Sequence, residues 1–127
     1  MPDGSSGIRV EKRGDVDVFA LSSFSPMQMS VVDQIEQSVF NEIDDGRRKF
    51  VFDFSDLDYL SSPLLKTIIV AHKRLQQDGG RIVLVGLNEH VRAVFDVVGF
   101  ERLFGTALET CPNIAGALEK LKKGAEA

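Results

Sequence analysis

Tryptophan is absent from this chain, tyrosine and cysteine occur once each, and no apolar run is long. Each absence excludes something. A lone Cys111 cannot form an intramolecular disulfide and offers no metal-ligand spacing, which fits a reducing compartment. With no histidine near it in sequence, Cys111 reads as a helix-flanking or buried thiol. Apolar runs such as Ile82-Val83-Leu84-Val85 fall far short of the ~20 residues that span a bilayer. Met1-Pro2-Asp3-Gly4-Ser5-Ser6-Gly7 has neither a basic n-region nor an apolar h-region, so it reads as a flexible leader and not as a secretory signal. Positive charge is also in short supply: 15 Lys and Arg against 19 Asp and Glu give a net charge of −4. Nucleic acid binding needs a basic face, usually with aromatic residues to stack on, and neither is offered. A cytoplasmic protein that touches neither nucleic acid nor membrane is expected.

What is present suits one compact domain. The chain has 127 residues, 43% of them hydrophobic, enough to bury a single core. Residues 8–12 alternate apolar and polar, Arg13-Gly14-Asp15 reads as a turn, and 16–21 resumes as a strand, so a hairpin is predicted. Val32, Ile35, Val39 and Ile43 fall at helical spacing, and Gly46 is a plausible stop. Phe50-Val51-Phe52-Asp53-Phe54 is nearly continuous and apolar, the pattern of a strand covered on both sides. A second helix opens at Ser61-Ser62-Pro63 and buries Leu64, Leu65, Ile68, Ile69, His72 and Leu75. Gly79-Gly80 ends it, and 81–85 forms another buried strand. A third helix carries Val91, Val94, Phe95 and Val98 and breaks at Gly99. A brief extended stretch near 106–108 and a last helix with Ile114, Ala117, Leu118 and Leu121 complete the pattern. Alternating strands and helices imply parallel crossovers. The predicted class is α/β, a mixed four- to five-stranded sheet packed against about four helices. Residues 8–122 form the domain, with a leader at 1–7 and a short tail at 123–127.

Ligand sites in open parallel sheets lie beyond the carboxyl ends of the strands. Three segments should meet there: 22–26, 55–63 and 86–90. Their chemistry is thin. His72 and His90 lack a pairing with a carboxylate and a nucleophile, and no glycine-rich phosphate loop follows a strand. Catalytic residues, metal ligands and cofactors are therefore not expected. A phosphoaspartate receiver using Asp53 would need an acidic pair after an earlier strand, where Ser22-Ser23 stands. Leu60-Ser61-Ser62-Pro63 stands out. Proline at the first helical position makes Ser62 the natural N-cap and puts Ser61 just outside the helix. A phosphate on Ser61 would gain from the helix dipole and free amides, and would place nearly two negative charges on that surface. The plainer reading is that both serines only cap and solvate a helix start.

These residues resemble the STAS domain family, the anti-sigma factor antagonists and their relatives. Such proteins carry an apolar strand and then Asp-Ser-Ser-Gly-Leu at a helix start. The corresponding run here is Phe50-Val51-Phe52-Asp53-Phe54-Ser55-Asp56-Leu57-Asp58-Tyr59-Leu60-Ser61-Ser62-Pro63-Leu64. Downstream, Ala71-His72-Lys73-Arg74, Gly79-Gly80-Arg81-Ile82-Val83-Leu84-Val85, Val91-Arg92-Ala93-Val94-Phe95 and Val98-Gly99-Phe100-Glu101-Arg102-Leu103-Phe104 follow in the family's order.

The resemblance implies a STAS-like fold and a binding module, not an enzyme. It implies that Ser61, or less readily Ser62, is phosphorylated by an anti-sigma factor that is also a serine kinase of the GHKL type. The unphosphorylated form would sequester that kinase, and a phosphatase would reset the switch. The implied partner-binding set is Ser25, Asp58, Leu60, Ser61, Ser62 and Pro63. Three positions depart from the family pattern: Leu60 stands for its Asp, Pro63 for its Gly, and Ser25 for an Asp in the loop after the hairpin. Two lost carboxylates remove groups that could orient the seryl hydroxyl, and Pro63 removes an amide donor. The alternative is a scaffold of the same fold, unphosphorylated, in a signalling or transport-associated complex.

Overall fold

The structure is a computed structural model, described here for residues 8–22, 29–56, 62–98 and 109–125. In chain order the elements are β1 (Ile8–Arg13), β2 (Val16–Ser22), α1 (Met29–Asp44), β3 (Lys49–Asp56), α2 (Ser62–Gln77), β4 (Arg81–Val85), α3 (Glu89–Val98), β5 (Thr110–Cys111) and α4 (Ile114–Ala125). The sheet runs β1-β2-β3-β4-β5. Only the β1–β2 hairpin is antiparallel; the other three pairings are parallel. This is the mixed five-stranded sheet with helices that the alternation of patterns predicts.

Period-two alternation divides the core between the two faces of the sheet. On one face Phe19, Phe50, Phe52 and Phe54 meet Ile35, Val39 and Ile43 of α1, Leu64, Ile68 and Leu75 of α2, and Val91 and Phe95 of α3. Phe19 stacks on Phe50 with centroids 5.7 Å apart and meets Phe52 edge-on at 5.5 Å. On the other face Val16, Val18, Val51, Val83 and Val85 are covered by Ala117 and Leu121 of α4. The apolar run in β3 is thus doubly covered, as its sequence predicts. Asn113 begins α4 by accepting a hydrogen bond from the Gly116 amide at 2.8 Å, an N-cap contact.

One detail differs from the sequence-based expectation and another lies outside the described residues. The described fifth strand is Thr110–Cys111, and the stretch 106–108 lies outside the described residues. Cys111 therefore belongs to a strand, half-buried, with its sulfur facing Gly116 at the start of α4. Helix α2 opens at Ser62 instead of at Pro63, a one-residue shift of the size helix ends commonly show.

At the amino end of the parallel strands, Asp17 is fully buried. Arg47, in the turn between α1 and β3, donates to its Oδ1 from Nε at 3.0 Å and from Nη2 at 2.6 Å. Lys12 bridges outward to Glu42 at 2.6 Å. Farther along the sheet, Arg81 at the start of β4 donates from Nε to Glu109 at 3.0 Å and from Nη1 to the Lys120 carbonyl of α4 at 3.3 Å.

Candidate functional site

The carboxyl edge of the parallel strands carries an irregularity. Between Ala20 and Ser22 of β2 the register with β3 slips: Ala20 faces Asp53, yet Ser22 faces Asp56. One residue of β3 is therefore extra, and such a bulge bends a strand and re-aims the side chains beyond it. Asp53 secures the bend, its Oδ1 accepting from the Ser55 amide at 2.9 Å and from Ser55 Oγ at 2.6 Å. That carboxylate is thus engaged in shaping the end of β3, as a hydrogen-bonded strand-end aspartate should be and a free phosphoacceptor would not.

Next to it β4 ends at Gly86, with φ of +72°. A Cβ there would stand 2.3 Å from Ser55 Oγ and 2.9 Å from the Ser55 nitrogen. Only glycine lets the two strand ends approach so closely. Asn88 then starts α3, its Oδ1 accepting from the Val91 amide at 2.7 Å.

Helix α2 is the next described element after β3. Its first turn holds no acidic residue, so its amide-rich, partly positive end has no carboxylate of its own there. Pro63 is half-buried, and its carbonyl accepts from Thr67 Oγ1 at 3.1 Å, one turn on. Leu64 and Ile68 anchor the helix in the core. The start of α2 is thus rigidly held, with a charge preference for anions.

Of the six residues the sequence singles out for partner binding, the described structure includes Pro63 and the backbone of Ser62. Ser25, Asp58, Leu60 and Ser61 lie outside the described residues, so their geometry plays no part here. His72 is half-buried on α2, where burial lowers its pKa and the charge of Glu109 opposes the shift. His90 is exposed at the second position of α3. Among the described residues no group of three His, Cys, Asp or Glu side chains could hold a metal ion, and no helix is long and apolar enough to cross a membrane.

Sequence reasoning misses a cleft of about 420 Å³ at the same edge, lined by Gly86, Leu87, Arg92, Thr110, Cys111 and Pro112. Arg92 is noticeable in the sequence, but the other wall is a strand too short to leave a periodic signal.

Comparison with known proteins bears on this arrangement. A family model described as the STAS domain matches residues 8–117. The chain belongs to the STAS domain family. Among curated STAS-related sequences, BtrV of Bordetella bronchiseptica, named an anti-sigma factor antagonist, is 39% identical over 75 residues. That match spans 59% of this chain and 65% of BtrV, just under two thirds of the relative's length. Among solved structures, a serine-to-glutamate variant of RsbS from Moorella thermoacetica superimposes with a TM-score of 0.78 at 21% identity, covering 94% of this chain and 98% of that one. SpoIIAA of Bacillus in its phosphorylated form gives a TM-score of 0.69 at 18% identity, covering 89% and 97%. At such identities the two structures establish the shared STAS fold.

Proposed function

We propose that this STAS domain is an anti-sigma factor antagonist: it acts by binding an anti-sigma factor, and phosphorylation of Ser61 releases that partner. One observation carries the reading. The Ser61-Ser62 pair arrives at the start of α2, a helix that begins at Ser62, carries no acid in its first turn and is anchored in the core by Leu64 and Ile68. A phosphoryl group on the residue preceding such a helix meets unsatisfied amides and a favourable dipole. Likeness to BtrV supports the same class of partner. The proposed contact set is Ser25, Asp58, Leu60, Ser61, Ser62 and Pro63. The proposed partner is an anti-sigma factor that is also a serine kinase of the GHKL type, with a phosphatase to reset the switch. The protein would work in the cytoplasm, without a cofactor and without catalysis of its own, as one domain over residues 8–122 with a leader at 1–7 and a tail at 123–127.

The test uses the full chain, ATP and the candidate kinase. Phosphate should appear on Ser61 by peptide mass spectrometry, and Ser61→Ala should abolish it. Ser61→Asp should weaken the complex by roughly 1–3 kcal/mol in calorimetry, because a charge is introduced into a desolvated contact. Absence of both phosphate and complex would sink the reading.

Leu60 and Pro63 favour a second reading, an unphosphorylated scaffold. Where the family has Asp and Gly, this chain has an apolar residue and an imide without an N–H. The scaffold reading expects Ser61→Ala and Ser61→Asp to bind the partner equally well.

A further inference from the structure

Strand β1 forms one edge of the sheet, and among the described residues nothing pairs with its outer side. Gly14 and Asp15 are the only residues between the closing pair Arg13 and Val16, with Gly14 at φ +64° and Asp15 at negative φ, which suits a two-residue type II′ turn. Such a turn closes on a hydrogen-bonded pair. Arg13, Glu11 and Arg9 therefore direct their main-chain groups inward to β2. Ile8, Val10 and Lys12 direct theirs to the free edge. Val10 is also one of two large apolar side chains left exposed among the described residues, at 41%. Arg9 and Glu11 are exposed on the opposite face of the strand.

We propose that two copies of this chain associate through β1, antiparallel about a two-fold axis at Val10, so that the five-stranded sheets join into one. The inference is independent of the proposed anti-sigma function. Pairing must match outward-directed residues with one another, which restricts the registers to centres between residues 8 and 12. Charge then selects among them. Centred on Val10, Arg9 faces the second copy's Glu11 and Glu11 faces the second copy's Arg9, in the narrow pairs where side chains come closest. Val10 meets Val10 on the other face, and Ile8 and Lys12 exchange main-chain hydrogen bonds. Centred on Glu11, two glutamates collide and Arg9 faces Arg13. Centred on Arg9 or Lys12, two like cations collide. Of these registers, only the one centred on Val10 pairs opposite charges while opposing no like ones.

A single strand pair buries less than the ~1,200 Å² of a stable interface, so the dimer is weak and concentration-dependent. The axis stands perpendicular to the sheet. The carboxyl edges of the two copies, and with them both α2 starts, then face opposite ways and remain accessible.

Sedimentation velocity of the full chain from ~10 μM to ~1 mM tests this. The weight-average mass should rise with concentration toward twice that of the monomer. Val10→Pro removes an N–H that β2 does not use, so the variant should keep its far-UV spectrum and melting behaviour yet stay monomeric. Arg9→Glu and Glu11→Arg should each weaken self-association at least about tenfold, while their equimolar mixture pairs and the double variant regains the wild-type behaviour. The proposal is overturned if wild type stays monomeric throughout, or if it dimerises and the two reversed-charge variants dimerise equally well. Pairing of β1 with a strand of another protein would show as the first of these outcomes.

Discussion

Gly86 and His72 show how much a single position can be made to reveal. The Gly86 φ of +72° already disfavours any side chain, and a Cβ would stand inside contact distance of Ser55. Gly14 shares the positive φ but has nothing within 4 Å of the added carbon. Gly86→Ala should therefore cost about 2–4 kcal/mol in urea denaturation and Gly14→Ala about 1 kcal/mol, the difference reporting the clash with β3. His72 makes a pH statement. Burial lowers its pKa in the fold, with Glu109 partly opposing, so the unfolded chain takes up the proton at higher pH. Stability should be full above the unfolded value of ~6.5 and decline as pH falls through it, levelling off below the lower native pKa. Asp15 and Glu42 titrate lower still, their carboxyl groups held down by hydrogen bonds from Lys49 and Lys12, and so act only in more acid solution. Comparing melting temperatures of wild type and His72→Leu from pH 7 to pH 5 isolates the histidine: the variant should show the shallower slope.

At the scale of elements, the hairpin, α1 and β3 are joined by a contact the sequence conceals. Asp17 lies in a strand whose alternation gives no warning that a carboxylate is fully buried there. Its partner Arg47 is 30 residues away, in a turn whose own signal is Gly46. Spacing rules see neighbours at three or four residues, or across a hairpin; they do not see this pair. Replacing Arg47 by Met would remove both charge-assisted hydrogen bonds from the buried carboxylate and leave it only the half-exposed Lys12, 3.8 Å away, and an under-satisfied buried charge costs far more than the pair returns. A loss of about 3–5 kcal/mol is expected by chemical denaturation, whereas the Arg47→Met/Asp17→Leu double variant should recover most of it. The same limit explains β5. Its two described residues are too few for any period to show, while the longer β3 and β4 are legible because every apolar residue in them is buried. The serine pair is legible for a different reason: Pro63 and the core anchors mark a helix start from chemistry alone, whereas a role for Ser61 enters through family resemblance.

Over the whole molecule, the two faces of the sheet depend on unequal covers. Three helices protect the phenylalanine face, while the valines Val51, Val83 and Val85 rely on α4 at the end of the described chain. Leu121 is fully buried there, and Arg81 ties the start of β4 to both Glu109 and the Lys120 carbonyl. Because β3 and β4 contribute to both clusters, uncovering one face exposes strands that the other face needs. Folding should then be cooperative across the sheet, with no stage at which the phenylalanine core survives without α4. Leu121→Ala should lower stability by about 2–5 kcal/mol, the cost of a buried leucine with its cavity. Far-UV dichroism and hydrogen exchange of the β3 amides should report that loss together, in one transition. If the β3 amides kept their protection while α4 melted first, the two faces would be separate units, and the sheet would no longer be the element that couples them.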